Sequence, residues 1–147
     1  MAYKNAVSTY KEIRINTASQ GQLIIMLYNE AVKQLDMALR LLEMNDAKKD
    51  PGRIEAISKA VVKTQEIVSE LMVSLDFEQG GDIAKNLFSL YTWFNRELME
   101  ANIGQDARRI TIVRTNIEHL RSAWQEIVAT AAVENTNREI VGLNIAG

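Results

Sequence analysis

Apolar residues in this chain recur every three or four positions over four separate stretches, which is the spacing of one helix face. The first stretch runs from Ser19 to about Asn45 and carries Ile24, Leu27, Ala31, Leu35, Ala38 and Leu42. Ser19 followed by Gln22 reads as a capping box that opens it. A polar segment from Asn45 to Asp50, then Pro51-Gly52, separates it from a second stretch ending near Asp76. There Ile54, Ile57, Val61, Thr64, Val68, Leu71 and Leu75 form a packing seam. Gly80-Gly81 is expected to end this helix, and Asp82 to cap a third that holds Leu87, Leu90, Phe94, Leu98 and Ala101 and stops at Asn102-Ile103-Gly104. Asp106 then caps a fourth, with Ile110, Val113, Ile117, Leu120, Trp124, Ile127 and Ala131 in register.

Four helices of roughly 30–39 Å joined by short loops predict an all-α, antiparallel up-down four-helix bundle. No stretch has the strict alternation and turn dipeptides of strands. The boundaries expected are an N-terminal arm or short helix over 1–18, a bundle over 19–133, and a mobile tail over 134–147 with at most a short helical start. By length this is one domain, and a 147-residue chain buries roughly 68–70% of its unfolded surface.

The apolar content exceeds what four seams need. Leu23, Ile24, Ile25, Met26, Leu27 and Tyr28 are consecutive, so they project in nearly every direction around the first helix. Val62, Ile67, Met72 and Val73 add to the second helix, and Phe88, Tyr91, Trp93 and Met99 to the third. Faces this wide either pack under a covering segment or receive an apolar partner. Tyr10, Ile13 and Ile15 of the arm could cover one such patch, but the arm is too short to cover them all.

Composition removes most alternatives. With 47% hydrophobic and 24% charged residues the chain is an ordinary globular protein. The net charge of −2 and the absence of a Lys/Arg cluster argue against nucleic acid as a partner. There is no Cys, hence no disulfide and no thiolate metal site. The N-terminus lacks the apolar core of a signal peptide, and the longest apolar run is six residues, against about twenty for a membrane span. These features lead to an expectation of a cytoplasmic protein without membrane insertion. A di-iron centre in a bundle needs two Glu-x-x-His motifs, but the only His is His119, preceded three residues earlier by Asn116 and directed outward. Serines without a base partner and Gly80-Gly81 without a phosphate-loop motif leave no catalytic constellation. No enzymatic activity, metal or cofactor is expected.

The string Tyr10, Thr17-Ala18-Ser19, Leu23 and Met26-Leu27-Tyr28 resembles the opening of the flagellar secretion chaperones of the FliS type. The resemblance continues through Glu70-Leu71 with Leu75-Asp76, Asn86-Leu87 with Leu90-Tyr91, Leu98 with Ala101-Asn102, and Leu120-Arg121 with Ala123-Trp124, covering about residues 8–130. Gln20 replaces a usual Pro, and Asn29-Glu30 a frequent Asp-Gly. The resemblance implies the same bundle and a role in binding the disordered C-terminal segment of flagellin, preventing premature polymerisation and delivering it to the flagellar type III export gate. The alternative from the residues alone is a self-associating structural bundle without a client.

Within this frame Tyr10 either anchors the arm or contacts the client or export partner, and Ile13 and Ile15 share that ambiguity. Leu23 and Tyr28 lie off the first seam and are expected to face the client. Trp124 falls on a seam and reads as core, whereas Asn86, Asn102 and Arg121 read as caps or bridging hydrogen bonds. The free protein is expected to be a monomer.

Overall fold

The computed structural model describes residues 20–44 and 50–146, with the side chains of 134–146 left out of the description. Four helices follow one another: α1 (Gln20–Glu43), α2 (Pro51–Val73), α3 (Phe77–Gly104) and α4 (Ala107–Ala146). Among the described residues there is no strand. The contacts divide the chain into two compact units, Leu27–His119 and a second made of Met1–Met26 with Leu120–Gly147.

Local chemistry sets the helix ends. At α2 the Asp50 carboxylate accepts from the Gly52 NH at 2.9 Å, and Pro51 occupies the first turn, where its missing NH costs nothing. The helix stops at Ser74, whose NH bonds back to Glu70 and whose hydroxyl donates to the Leu71 carbonyl. The second helix therefore ends several residues before Gly80-Gly81. Asp76, not Asp82, is the cap that follows: its Oδ1 accepts from the Glu78 and Gln79 NH groups, both at 3.0 Å. The glycine pair instead produces a kink inside α3, where Gly81 has φ 49° and ψ −125°. Only glycine enters that region without strain. Its neighbour Gly80 allows close packing, since a Cβ there would lie 2.8 Å from the Ala84 Cβ.

Asp106 caps α4 as expected, accepting from the Arg108 NH at 3.0 Å. Gly104 is still helical, and Gln105 takes the left-handed C-cap conformation at φ 52°. The far end differs from expectation, because α4 continues in helical conformation through 134–146 to Ala146.

Unit Leu27–His119 contains parts of all four helices. Its register comes from hydrogen bonds between α2 and α3. Asn102 donates to the Ser58 hydroxyl at 3.1 Å, Gln65 donates to the Asn95 carbonyl at 3.1 Å, and Asn95 donates to Ser69 at 3.4 Å. Each advance along α2 is a retreat along α3, so the two run antiparallel. Arg109 on α4 reaches Glu97 on α3 at 2.8 Å across the short Gln105-Asp106 turn. Arg114 on α4 pairs with Asp36 on α1 and, at 3.1 Å, with Glu118 one turn along. The result is the four-helix bundle that the seams predict.

The core is the predicted seam, widened. Leu27, Ala31, Leu35 and Ala38 of α1 are buried, as are Ile57, Val61, Thr64, Val68 and Leu71 of α2. Phe94, Leu98 and Ala101 of α3 and Ile110, Val113 and Ile117 of α4 join them. Thr64 satisfies its hydroxyl by donating to the Ala60 carbonyl at 3.0 Å. Burial on both Leu27 and Tyr28, and on both Ala31 and Val32, makes the α1 face two stripes wide. A helix with neighbours on two sides needs that width. In the other unit Leu23 is buried, Trp124 is half-buried and Ile127 is exposed.

Candidate functional site

With the seams buried, the residues of interest are those large apolar side chains that stay outside. On α2 these are Val62 and Val73, at 42% and 77% exposure, three turns apart on one face. On α3 they are Phe77, Phe88 and Met99, at 47%, 43% and 49%, together with the more exposed Ile83 and Ile103, at 71% and 76%. The antiparallel register sets Val62 opposite the turn that holds Met99 and Val73 opposite Phe88. Phe77 meets Phe88 edge-on, with ring centroids 6.0 Å apart. Exposed apolar side chains thus stand towards both ends of the outer surface between α2 and α3. Between them Gln65 donates to the Asn95 backbone carbonyl, Ser69 to the Gln65 backbone carbonyl and Asn95 to the Ser69 hydroxyl, while the buried Asn95 Oδ1 has no hydrogen-bond partner.

Exposed valine on a helix is a poor choice for stability, because β-branched side chains lose rotamer freedom there. Two such valines and the exposed Phe and Met are large apolar side chains that the bundle does not bury. Single exposed apolar residues need no explanation, whereas a contiguous patch does.

The expected site residues fall differently. Tyr10, Ile13 and Ile15 lie outside the described residues, as does the Ser19 cap. Leu23 and Tyr28, expected to face a client, are core positions here at 6% and 0% exposure. The reason for Tyr28 is a partner that the sequence spacing does not reveal. Its hydroxyl meets that of Tyr91 at 2.6 Å, a buried phenol pair joining α1 to α3. Burial raises the Tyr91 pKa above its ordinary value, opposed in part by the hydrogen bond to Tyr28. Of the surplus apolar residues, Ile67 and Tyr91 are likewise buried, while Val62, Val73, Phe88 and Met99 are exposed. An angular count around each helix separates the first group from the second only when the neighbours' positions are known.

A concavity of about 580 Å³ lies at the α3–α4 turn between Leu42, Glu100, Ile103, Gln105, Asp106 and Arg109. Two of its charges already serve the fold: Arg109 pairs with Glu97 and, at 3.6 Å, with Asp106, and Asp106 caps α4. Among the described residues no His, Cys, Asp or Glu cluster is arranged to hold a metal ion. His119 is exposed, and no described helix is long and apolar enough to cross a membrane.

Comparison with known proteins follows the same lines. The family described as Flagellar protein FliS matches residues 3–131. The protein named Flagellar secretion chaperone FliS in Salmonella typhimurium is 35% identical over 125 residues, 85% of this chain and 88% of that one. Its namesake in Escherichia coli is 30% identical over 115 residues, covering 78% and 80%. The Bacillus subtilis protein of the same name is 27% identical over 128 residues, covering 87% and 90%. With a matched region that takes in the arm and all of unit Leu27–His119, and relatives aligned over most of their own length, the chain belongs to the FliS family of flagellar secretion chaperones.

Proposed function

We propose that this chain is a cytoplasmic chaperone that binds the C-terminal segment of flagellin, keeps it from polymerising and delivers it to the flagellar type III export apparatus. The observation that carries this reading is a set of exposed large apolar side chains, Val62, Val73, Phe88 and Met99 among them, on a bundle whose relatives are flagellar secretion chaperones. A disordered client meeting such a surface folds as it binds, burying on the order of 1,000–3,000 Å² while losing a few kcal/mol to ordering. A rigid bundle confines that ordering cost to one partner. No nucleotide is required, so release falls to the export machinery or to competition. Tyr10, with Ile13 and Ile15, belongs in this reading as a contact of the arm with client or export gate.

Size-exclusion chromatography with light scattering, with and without a flagellin C-terminal fragment, provides the test. The expected result is a monomer at all concentrations that forms a one-to-one complex when the fragment is added. A concentration-dependent dimer indifferent to the fragment would instead establish a self-associating bundle.

A further inference from the structure

The helix α3 departs from helical geometry at one residue, Gly81, and the residues on either side of it form the parts of a hinge. We propose that the first turn of α3, from Phe77 to Gly80, is a lid latched onto Phe88, closed in this structure and opened by straightening α3 at Gly81. The lid's control over the apolar surface around Phe88 rests on the chaperone reading; the hinge itself stands without it.

The closed state is visible in a ring contact. Residues eleven apart in an unbroken helix are separated by about 16 Å along its axis, too far for two phenylalanine rings to meet. Phe77 and Phe88 are such a pair, yet their ring centroids lie 6.0 Å apart. The kink at Gly81 folds the first turn back and brings the rings together. Both rings stay partly exposed, so the latch is a surface contact and not a piece of the core.

Both glycines are demanded by the closed state, for unrelated reasons, and neither is demanded by the open one. Gly81 has φ 49° and ψ −125°, a conformation that a side chain would strain. At Gly80 a Cβ would stand 2.8 Å from the Ala84 Cβ. Residues four apart on a regular helix hold their Cβ atoms about 5–6 Å apart, so this crowding is a product of the kink. Straightening removes both constraints by changing the dihedrals of one residue, which is how hinges work.

The moving segment is lightly held. No residue between Leu71 and Ala84 is buried. The two NH bonds of the Asp76 cap, to Glu78 and Gln79, lie within the moving turn and survive the motion. Segments with few buried contacts open at small cost, and a partner that prefers one state draws the population towards it. A ligand approaching Phe88 must displace the Phe77 ring from the closed state and meets no such ring in the open one.

The test reads the hinge directly. The chain has no Cys, so Glu78→Cys with Thr92→Cys places two spin labels at exposed positions of the full chain. In a straight helix these positions are about 21 Å apart, and the closed lid holds them closer. Electron paramagnetic resonance on the labelled protein is expected to show mainly the short separation, with a minor fraction near the long one. Adding Gly80→Ala and Gly81→Ala should make the long separation dominant. Adding instead Phe88→Leu, which removes the latch ring and keeps both glycines, should raise the long fraction severalfold; this variant decides the matter if the double alanine variant fails to fold. A flagellin C-terminal fragment should raise the long fraction in the otherwise wild-type protein, and by calorimetry should bind the double alanine variant severalfold more tightly. A short separation retained in the folded variants would overturn the hinge. Variants that open, with a fragment that binds wild type without moving the labels and binds the double alanine variant no more tightly, would overturn the lid. A fragment that fails to bind wild type would sink the chaperone reading and the lid's role in it, leaving the hinge to be decided by the separations in the free protein.

Discussion

At the scale of single residues, the buried Tyr28–Tyr91 pair is the most specific interaction of the core. Each phenol spans from apolar packing to a hydroxyl that needs a partner, and here two helices supply one another's. We expect Tyr28→Phe and Tyr91→Phe each to cost about 0.5–1.5 kcal/mol. In a double-mutant cycle by urea denaturation the double variant should cost less than the two singles together; strict additivity would show that the hydroxyls act independently. The pair also predicts a pH effect. Because burial raises the Tyr91 pKa, its stabilisation is complete below the ordinary tyrosine value of about 10 and declines as pH rises towards the folded value. The alkaline loss of stability should therefore be shallower in Tyr91→Phe than in wild type. The Arg114 pKa is raised as well, here by the Asp36 hydrogen bond with burial opposing, so it stays charged over the whole working range.

At the scale of elements, the α2–α3 connection shows how a turn is built from competing signals. Asp76 and Asp82 are both plausible caps by type. Ser74 ends α2 early and gives the position to Asp76, leaving Gly80-Gly81 to bend a helix already under way. Asp76→Ala should cost about 0.5–2 kcal/mol through two unsatisfied NH groups. Gly81→Ala meets no atom within 4 Å, so its penalty is purely conformational and should be about 1–3 kcal/mol. Thermal melts of both variants check this, and a neutral Gly81→Ala would mean that the kink relaxes to regular helix without cost. The kink lies between Phe77 and Phe88, whose rings meet edge-on across it.

At the scale of the whole molecule, the surface chemistry points to a complex held by apolar burial. Removal of apolar surface from water gives a negative heat-capacity change on binding. Rim charges are screened by salt, so the affinity for a flagellin C-terminal fragment should fall by less than about tenfold between low and physiological ionic strength. Calorimetry at several temperatures and two salt concentrations tests both; a steep salt dependence with little heat-capacity change would contradict an apolar groove. Tyr10→Ala should weaken binding of the fragment or of the export apparatus with little change in melting temperature. Unfolding of that variant would show instead that Tyr10 is part of the core.

The four seams and the absence of strand signals were enough to specify an all-α bundle, because helical periodicity is a local property that each stretch carries by itself. The ordered motifs from Tyr10 to Trp124 were likewise enough to suggest the family. What the seams left open was the assignment of every apolar residue beyond them. Tyr28 and Val62 are both off-seam, yet one is sealed against Tyr91 and the other faces outward beside Met99. That difference depends on which neighbour lies across the helix and in what register, and the register is set by bonds such as Ser58–Asn102 between residues distant in sequence. Only the packed structure, by filling some of these faces and leaving others open, decides which apolar residues are core and which stay exposed.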